Sequence, residues 1–395
     1  MKEIKYNLRT MVGGQSPYWS GETTKPDDFP DLEQPDTQEE LPARTMKDSY
    51  QEAYLPVGTD LKLREKYQNF YKFIRFGKIL ANLDMFAAWI SYLHIHGGQQ
   101  NLKGTSPHTV VTALVDIIDL YEQIQTYYDI KMSGNVTWVG KSSMEVTMDL
   151  GQIVNGSFKH ILDARFLMVS RDIKRERAAL VNPLVLKTDK EKQIFQQGQE
   201  NHSKSLATWS TSLTKTAPTA EESQIVHDLM LQTGVFDASV KKSPSKMDNT
   251  VFMEDTELSS VYFCNPQQRN THNKVFGGFL LDRAFGLAWT NACLFSGGKA
   301  IMKTMDDVRF RKGVEMGSIL EFTSQVVYTP PQPTKRFQIM TVADVIQPST
   351  GERETTNIFY YTFESENEVR SVAPRSYAEA MRYIAGKRRY VKCKT

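Results

Sequence analysis

The sequence predicts an α+β fold made twice from one pattern, a long apolar helix followed by strands that wrap it. The first observation is a glycine-led helix in the second half. Gly277 and Gly278 stand directly before Phe279, Leu280, Ala284, Leu287 and Ala288, which recur at helical spacing. The second is its repetition: Arg75 through His94 falls on the same template, with Gly77 matching Gly278, Leu80 matching Leu281 and Ala87 matching Ala288. The third is that β-rich runs follow each helix, the order expected of an α+β unit. The two copies differ at one chemical position, where Asp84 of the first stands against Phe285 of the second.

Composition bounds the answer. A chain of 395 residues holds two ordinary domains, and 40% hydrophobic with 24% charged residues is a globular balance. A net charge of +2 is too small to imply a nucleic-acid partner. No apolar run approaches the ~20 residues of a membrane span. Cys264, Cys293 and Cys393 have no metal or redox spacing and point to a reducing compartment. The N-terminus mixes Lys2, Glu3, Lys5 and Arg9 without a hydrophobic region, so neither a secretory signal nor a convincing organelle presequence is expected there.

Residues 1–45, rich in Pro, Gly, Thr and acids, read as an extended arm. The first unit, 46–185, begins its helix near Arg75 and ends it near His96. Strands follow at Thr109–Ile118, Ile130–Val139, Ser143–Asp149 and Ile161–Ser170, with a hairpin turn at Gly140-Lys141-Ser142. Residues 186–246 read as a connector in which Thr219-Ala-Glu-Glu222 opens a helix with a capping box. The second unit, 247–366, repeats the order with a strand near Glu257–Cys264, the helix 277–295, and strands at Ala300–Phe310, Ser318–Tyr328, Phe337–Val345 and Thr356–Phe363. Leu114-Val-Asp116 aligns with Thr304-Met-Asp306, and Ser133–Val139 with Glu321–Val327. Residues 367–395 form a terminal helix, Tyr377–Ile384, and a solvated basic tail.

Met46–Tyr50, Leu63–Tyr67, Arg75–Leu80, Ser133–Val146 and Asn270–Phe279 together resemble the acyl-CoA thioesterases with tandem hot dog domains, most nearly their mitochondrial acyl-coenzyme A thioesterase 9 branch. The resemblance covers roughly 46–366 and implies a pseudo-dimeric double hot dog that hydrolyses acyl-CoA to a carboxylic (fatty) acid and free coenzyme A. No cofactor and no metal are implied. The substrate is the only small-molecule partner, a homo-oligomer is expected, and the expected location is the mitochondrion, otherwise the cytoplasm.

In such thioesterases an Asn lies six residues before the Phe-Gly-Gly motif's first residue and an acid nine residues after it. Paired units there face each other, so each site takes its Asn from one unit and its acid from the other. Asn270 meets the first requirement and Asp84 the second, whereas Asn69 would pair with Phe285 and find no acid. The resemblance therefore implies one working site per chain. Asp84 would be general base or nucleophile, Asn270 would orient water or thioester, and the N–H of Gly278 would stabilise the oxyanion. Gly77 and Gly277 allow a close approach to substrate, or simply close helix packing. Lys141 and Ser142 on the hairpin turn, with Arg309 and Arg311 on a later strand end, are candidates for the coenzyme A phosphates, set against plain surface charge.

Other chemistries are disfavoured. His94-Ile-His96 supplies two ligands and no third for a metal, and His272 is not needed as a base. No Gly-x-Ser-x-Gly elbow occurs. A hydratase would need a His about five residues after Asp84, where Trp89 stands. A catalytically silent acyl-CoA binding or scaffold protein is the alternative from another class, suggested by the loss of the acid at Phe285.

Overall fold

The computed structural model describes residues 1–11, 30–98, 106–175, 177–213, 215–232, 249–268 and 274–392. Its helices are α1 (Lys2–Met11), α2 (Leu61–Tyr67), α3 (Phe76–His96), α4 (Asp189–Ser210), α5 (Ala220–Gln232), α6 (Gly277–Ser296) and α7 (Tyr377–Lys392). The strands of the first half are β1 (Gln51–Leu55), β2 (His108–Val115), β3 (Ile118–Asp119), β4 (Ile130–Val139), β5 (Ser143–Val154) and β6 (Ser157–Asp172). Those of the second are β7 (Thr250–Phe252), β8 (Leu258–Phe263), β9 (Ala300–Met305), β10 (Val308–Arg309), β11 (Ile319–Tyr328), β12 (Arg336–Ile346), β13 (Arg353–Ser365) and β14 (Ser371–Ala373).

The chain divides into two compact units. The first comprises Met1–His202, Phe263–Asp282 and Arg309–Ser318, so it holds the beginning of α6 as well as all of α3. The second comprises Ser203–Tyr262, Arg283–Val308 and Ile319–Thr395.

In the first unit the antiparallel order β1-β4-β5-β6-β2 wraps α3, which packs on β2, β4, β5 and β6. Sixteen of the 21 residues of α3 are buried, as expected of a helix that is largely apolar around its circumference. Gly97 stops it in the left-handed conformation with φ of 75°, its N–H donating to the carbonyl of Leu93. The hairpin turn forms where the sequence predicts it, with the Gly140 N–H bonded to the Ser143 carbonyl. The arm is not extended throughout. Ile4 and Leu8, one turn apart, bury themselves and make Lys2–Met11 helical. Farther along, the Gln38 amide donates to the carbonyls of Gly140 (2.7 Å) and Val181 (2.9 Å).

In the second unit the order is β9-β13-β12-β11-β8, and the body of α6 lies on it. Phe295 meets Phe337 of β12 at 5.1 Å between ring centres, and Asn291 donates to Ser324 of β11 at 3.1 Å. A long helix wrapped by an antiparallel sheet, twice, is the double hot dog that the sequence predicts.

Two expectations are corrected. The Val136 N–H donates to Ser49 Oγ and the Val326 N–H to Thr256 Oγ1, and a bulge follows each valine. These are equivalent residues, so the alignment of Ser133–Val139 with Glu321–Val327 is off by two. A slip of two preserves the in–out alternation of a strand and leaves no trace in the pattern.

The basic tail is also not a solvated end. Its first residues continue α7, and Arg389 reaches the buried carboxylate of Asp306 at 2.7 Å, with Lys392 at 3.7 Å. The equivalent acid of the first copy, Asp116, is held by Arg165 at 2.8 Å. Tyr360 stands at the place of Arg165, as the matching bonds from Asp116 to Arg165 and from Asp306 to Tyr360 show. Arg389 lies over that tyrosine ring at 3.8 Å and supplies the missing cation.

Candidate active site

Asp84 sits in the middle of α3 and is only 2% exposed. Its neighbours Leu80, Leu83 and Ala87 are fully buried, so the helix face that carries it is a core face. A carboxylate there requires partners. Thr112 of β2 donates its hydroxyl to Oδ1 at 2.5 Å, and the backbone N–H of Gly278 donates to the same carboxylate. Burial pushes the Asp84 carboxyl up to about 6, while the Thr112 and Gly278 donors favour the ionised form and hold it from rising further.

Gly277 and Gly278 lie at the N-terminal end of α6, where free N–H groups and the helix dipole favour negative charge. A Cβ on Gly277 would stand 3.1 Å from Asp84 Oδ2 and 3.3 Å from Cε1 of Phe310. Gly277 therefore gives the carboxylate an open flank. Gly278 and Gly77 serve packing: a Cβ on Gly278 would stand 2.8 Å from Cα of Ala81, and one on Gly77 2.9 Å from the carbonyl oxygen of Asp282. These are equivalent contacts, each glycine meeting the residue four positions on in the other helix. Asp282 also pairs with Lys78 at 3.1 Å.

Lys141 is exposed on the β4–β5 turn, with Ser142 beside it. Thr112, Met168 and Met144 lie in one row across β2, β6 and β5. At the usual strand spacing the turn is on the order of 10–15 Å from Thr112. The turn is fixed by bonds from the Val181 and Ser170 N–H groups to the carbonyls of Lys141 and Ser142. Arg309 and Arg311 flank Phe310, whose N–H donates to the Ala113 carbonyl at 3.0 Å, beside Thr112. Asn270 and His272 lie outside the described residues. Asn69 is occupied in its own turn, its side chain accepting the Phe73 N–H at 3.0 Å.

Phe285, at the place of Asp84, is buried against Tyr361 at 5.7 Å and Phe363 at 6.3 Å between ring centres. Met302 of β9 takes the place of Thr112 by the alignment of Asp116 with Asp306, and it is buried too. The second copy has thus lost both the acid and the hydroxyl. His94 and His96 each have a partner, the Asn182 carbonyl at 2.8 Å and Ser106 Oγ at 3.0 Å, and burial holds the His94 imidazole down at about 4. Sequence reasoning missed Thr112 and Phe310. Both lie in strand runs where nothing distinguishes them from their neighbours.

No protein-family profile matches the chain. It is 41% identical over 397 residues to acyl-coenzyme A thioesterase 9, mitochondrial, of Bos taurus, covering 99% of this chain and 88% of that one. It is 42% identical over 359 residues to the protein of the same name in Homo sapiens, covering 90% and 80%. Acyl-coenzyme A thioesterase 2, chloroplastic, of Humulus lupulus is 32% identical over 365 residues, covering 88% and 81%. Among solved structures, a putative oleoyl thioesterase of Lactobacillus plantarum aligns over 81% of this chain and 97% of its own, at 9% identity and a TM-score of 0.47.

Proposed function

Because the chain belongs to the acyl-coenzyme A thioesterase family, we propose that it hydrolyses acyl-CoA thioesters to a carboxylic acid and free coenzyme A at one site per chain, centred on Asp84. The observation that carries this reading is a carboxylate buried in an apolar helix, held by Thr112 and the Gly278 N–H, with Gly277 leaving one flank open. A carboxyl raised to about 6 suits a general base at neutral pH. Asp84 takes a proton from water, and the resulting hydroxide bonds to the thioester carbon. The Gly278 N–H, expected from the resemblance to meet the oxyanion, donates to Asp84 instead. The oxyanion therefore meets the positive end of the α6 dipole and the amide of Asn270. As it collapses the C–S bond breaks, and the proton on Asp84 passes to the departing thiolate.

Lys141, Ser142, Arg309 and Arg311 are the proposed contacts of the coenzyme A phosphates. The second copy has no working site, because Phe285 and Met302 replace Asp84 and Thr112. The mitochondrial names of the relatives support the same compartment here, and a homo-oligomer is proposed from the family resemblance.

The test is release of free thiol from acyl-CoAs of rising chain length by wild type and Asp84→Asn in parallel. Wild-type release that is lost in the variant, with coenzyme A still bound, supports the proposal. Equal release by both rejects the site, and binding without release by either identifies an acyl-CoA binding protein.

A further inference from the structure

We infer that Phe310 sets how much bulk the site accepts on the acyl carbon next to the thioester carbonyl. This inference rests on the hydrolase reading of the Asp84 site. One point in space, where a Cβ on Gly277 would stand, is 3.1 Å from Asp84 Oδ2 and 3.3 Å from Cε1 of Phe310. Carboxylate and aromatic ring therefore approach the same side of Gly277, close enough that even a methyl group on it would crowd both.

The ring is held in place by its backbone. The Phe310 N–H donates to the carbonyl of Ala113 at 3.0 Å, and the preceding residue, Thr112, holds Asp84. Base and wall are thus fixed to the same stretch of β2. A phenyl ring is also rigid, with two side-chain torsions and no way to fold aside within its plane.

The geometry of attack makes the wall matter. A water activated by Asp84 lies about 3 Å from the carboxylate and about 3 Å from the carbon it attacks. The next acyl carbon then falls beside the ring. Hydrogens on that carbon fit, and each methyl added there presses on Phe310. Leu120 holds the equivalent position in the first copy, by the alignment of Asp116 with Asp306.

The experiment measures kcat/KM for butyryl-CoA, isobutyryl-CoA and pivaloyl-CoA with wild type, Phe310→Leu and Phe310→Ala. The pivaloyl-to-butyryl ratio is expected to rise by ~10-fold or more in Phe310→Ala, with Leu intermediate, since one methyl group in an apolar pocket is worth ~10–200-fold. A ratio unchanged within about two-fold in both variants overturns the inference, as does a parallel fall for all three substrates. If Phe310→Ala fails to fold, the Leu variant decides. Wild type that releases no thiol from any acyl-CoA would instead reject the hydrolase reading, so the two failures are distinguishable.

Discussion

The Thr112 hydroxyl donates to Oδ1 of Asp84 at 2.5 Å, tying a half-buried strand residue to a carboxylate in the middle of a 21-residue helix. The bond favours the ionised form, and burial opposes it. With Asp84 as base, activity is expected to fall as pH drops through about 6, where the carboxyl becomes protonated. Thr112→Val removes the donor and keeps the shape. It should lower kcat/KM by ~10–100-fold, the worth of a hydrogen bond to a charged group. The acid limb of the pH profile should move to higher pH.

The same shift affects stability. Burial pushes the folded carboxyl up to about 6, against ~3.9 for a free aspartate, so the folded state binds the extra proton between them. The contribution of Asp84 is favourable below the lower value and is lost as pH rises through about 6. Unfolding free energies of wild type and Asp84→Asn, measured from pH 4 to 8, should diverge in favour of the variant by ~2–3 kcal/mol across that window. A pH-independent difference would contradict the raised carboxyl.

The two neighbouring glycines should respond differently to alanine. Gly277→Ala places a methyl 3.1 Å from Asp84 Oδ2, and it should lower turnover at least ~10-fold with little change in melting temperature. Gly278→Ala places a methyl 2.8 Å from the Cα of Ala81, where the backbone cannot yield, and should destabilise the fold. Thermal melts beside kinetics separate the two.

Phe285→Ala should be a stability variant and not a catalytic one. Removing a ring packed on Tyr361 and Phe363 should cost ~3–5 kcal/mol. The folded fraction should retain kcat near wild type, which active-site titration would check.

Arg389→Ala strips the nearer cation from Asp306, a carboxylate 2% exposed. Breaking a buried pair costs ~3–5 kcal/mol, and the partial exposure of Arg389, at 28%, argues for the lower end. Chemical denaturation would measure the loss, and Arg389→Lys should recover part of it.

Much of this fold was legible. The apolar spacing around Leu80 and Leu281 predicted both long helices, and Gly140 predicted the hairpin. The capping box at Thr219 and Glu222 predicted α5, with reciprocal bonds of 2.9 and 3.2 Å. The polar helix α4 was not legible, because only contacts such as Trp138 Nε1 to Gln199 at 3.1 Å show where it packs. The last turns of α7 were hidden for the same reason: Arg389 and Lys392 look like a solvated tail until Asp306 is placed beside them.

By itself the sequence determined the two glycine-led helices, their strands, and the presence of one acid where the repeat has two positions for it. Periodicity carries that information because it records which face of each element must leave water. Only the tertiary structure decided that the start of α6 belongs to the same compact unit as Asp84, that Thr112 and Gly278 hold the carboxylate, and that Phe310 approaches the same glycine as the carboxylate does. Those neighbours are distant in the chain, and burial patterns say that a side chain has partners without saying which ones.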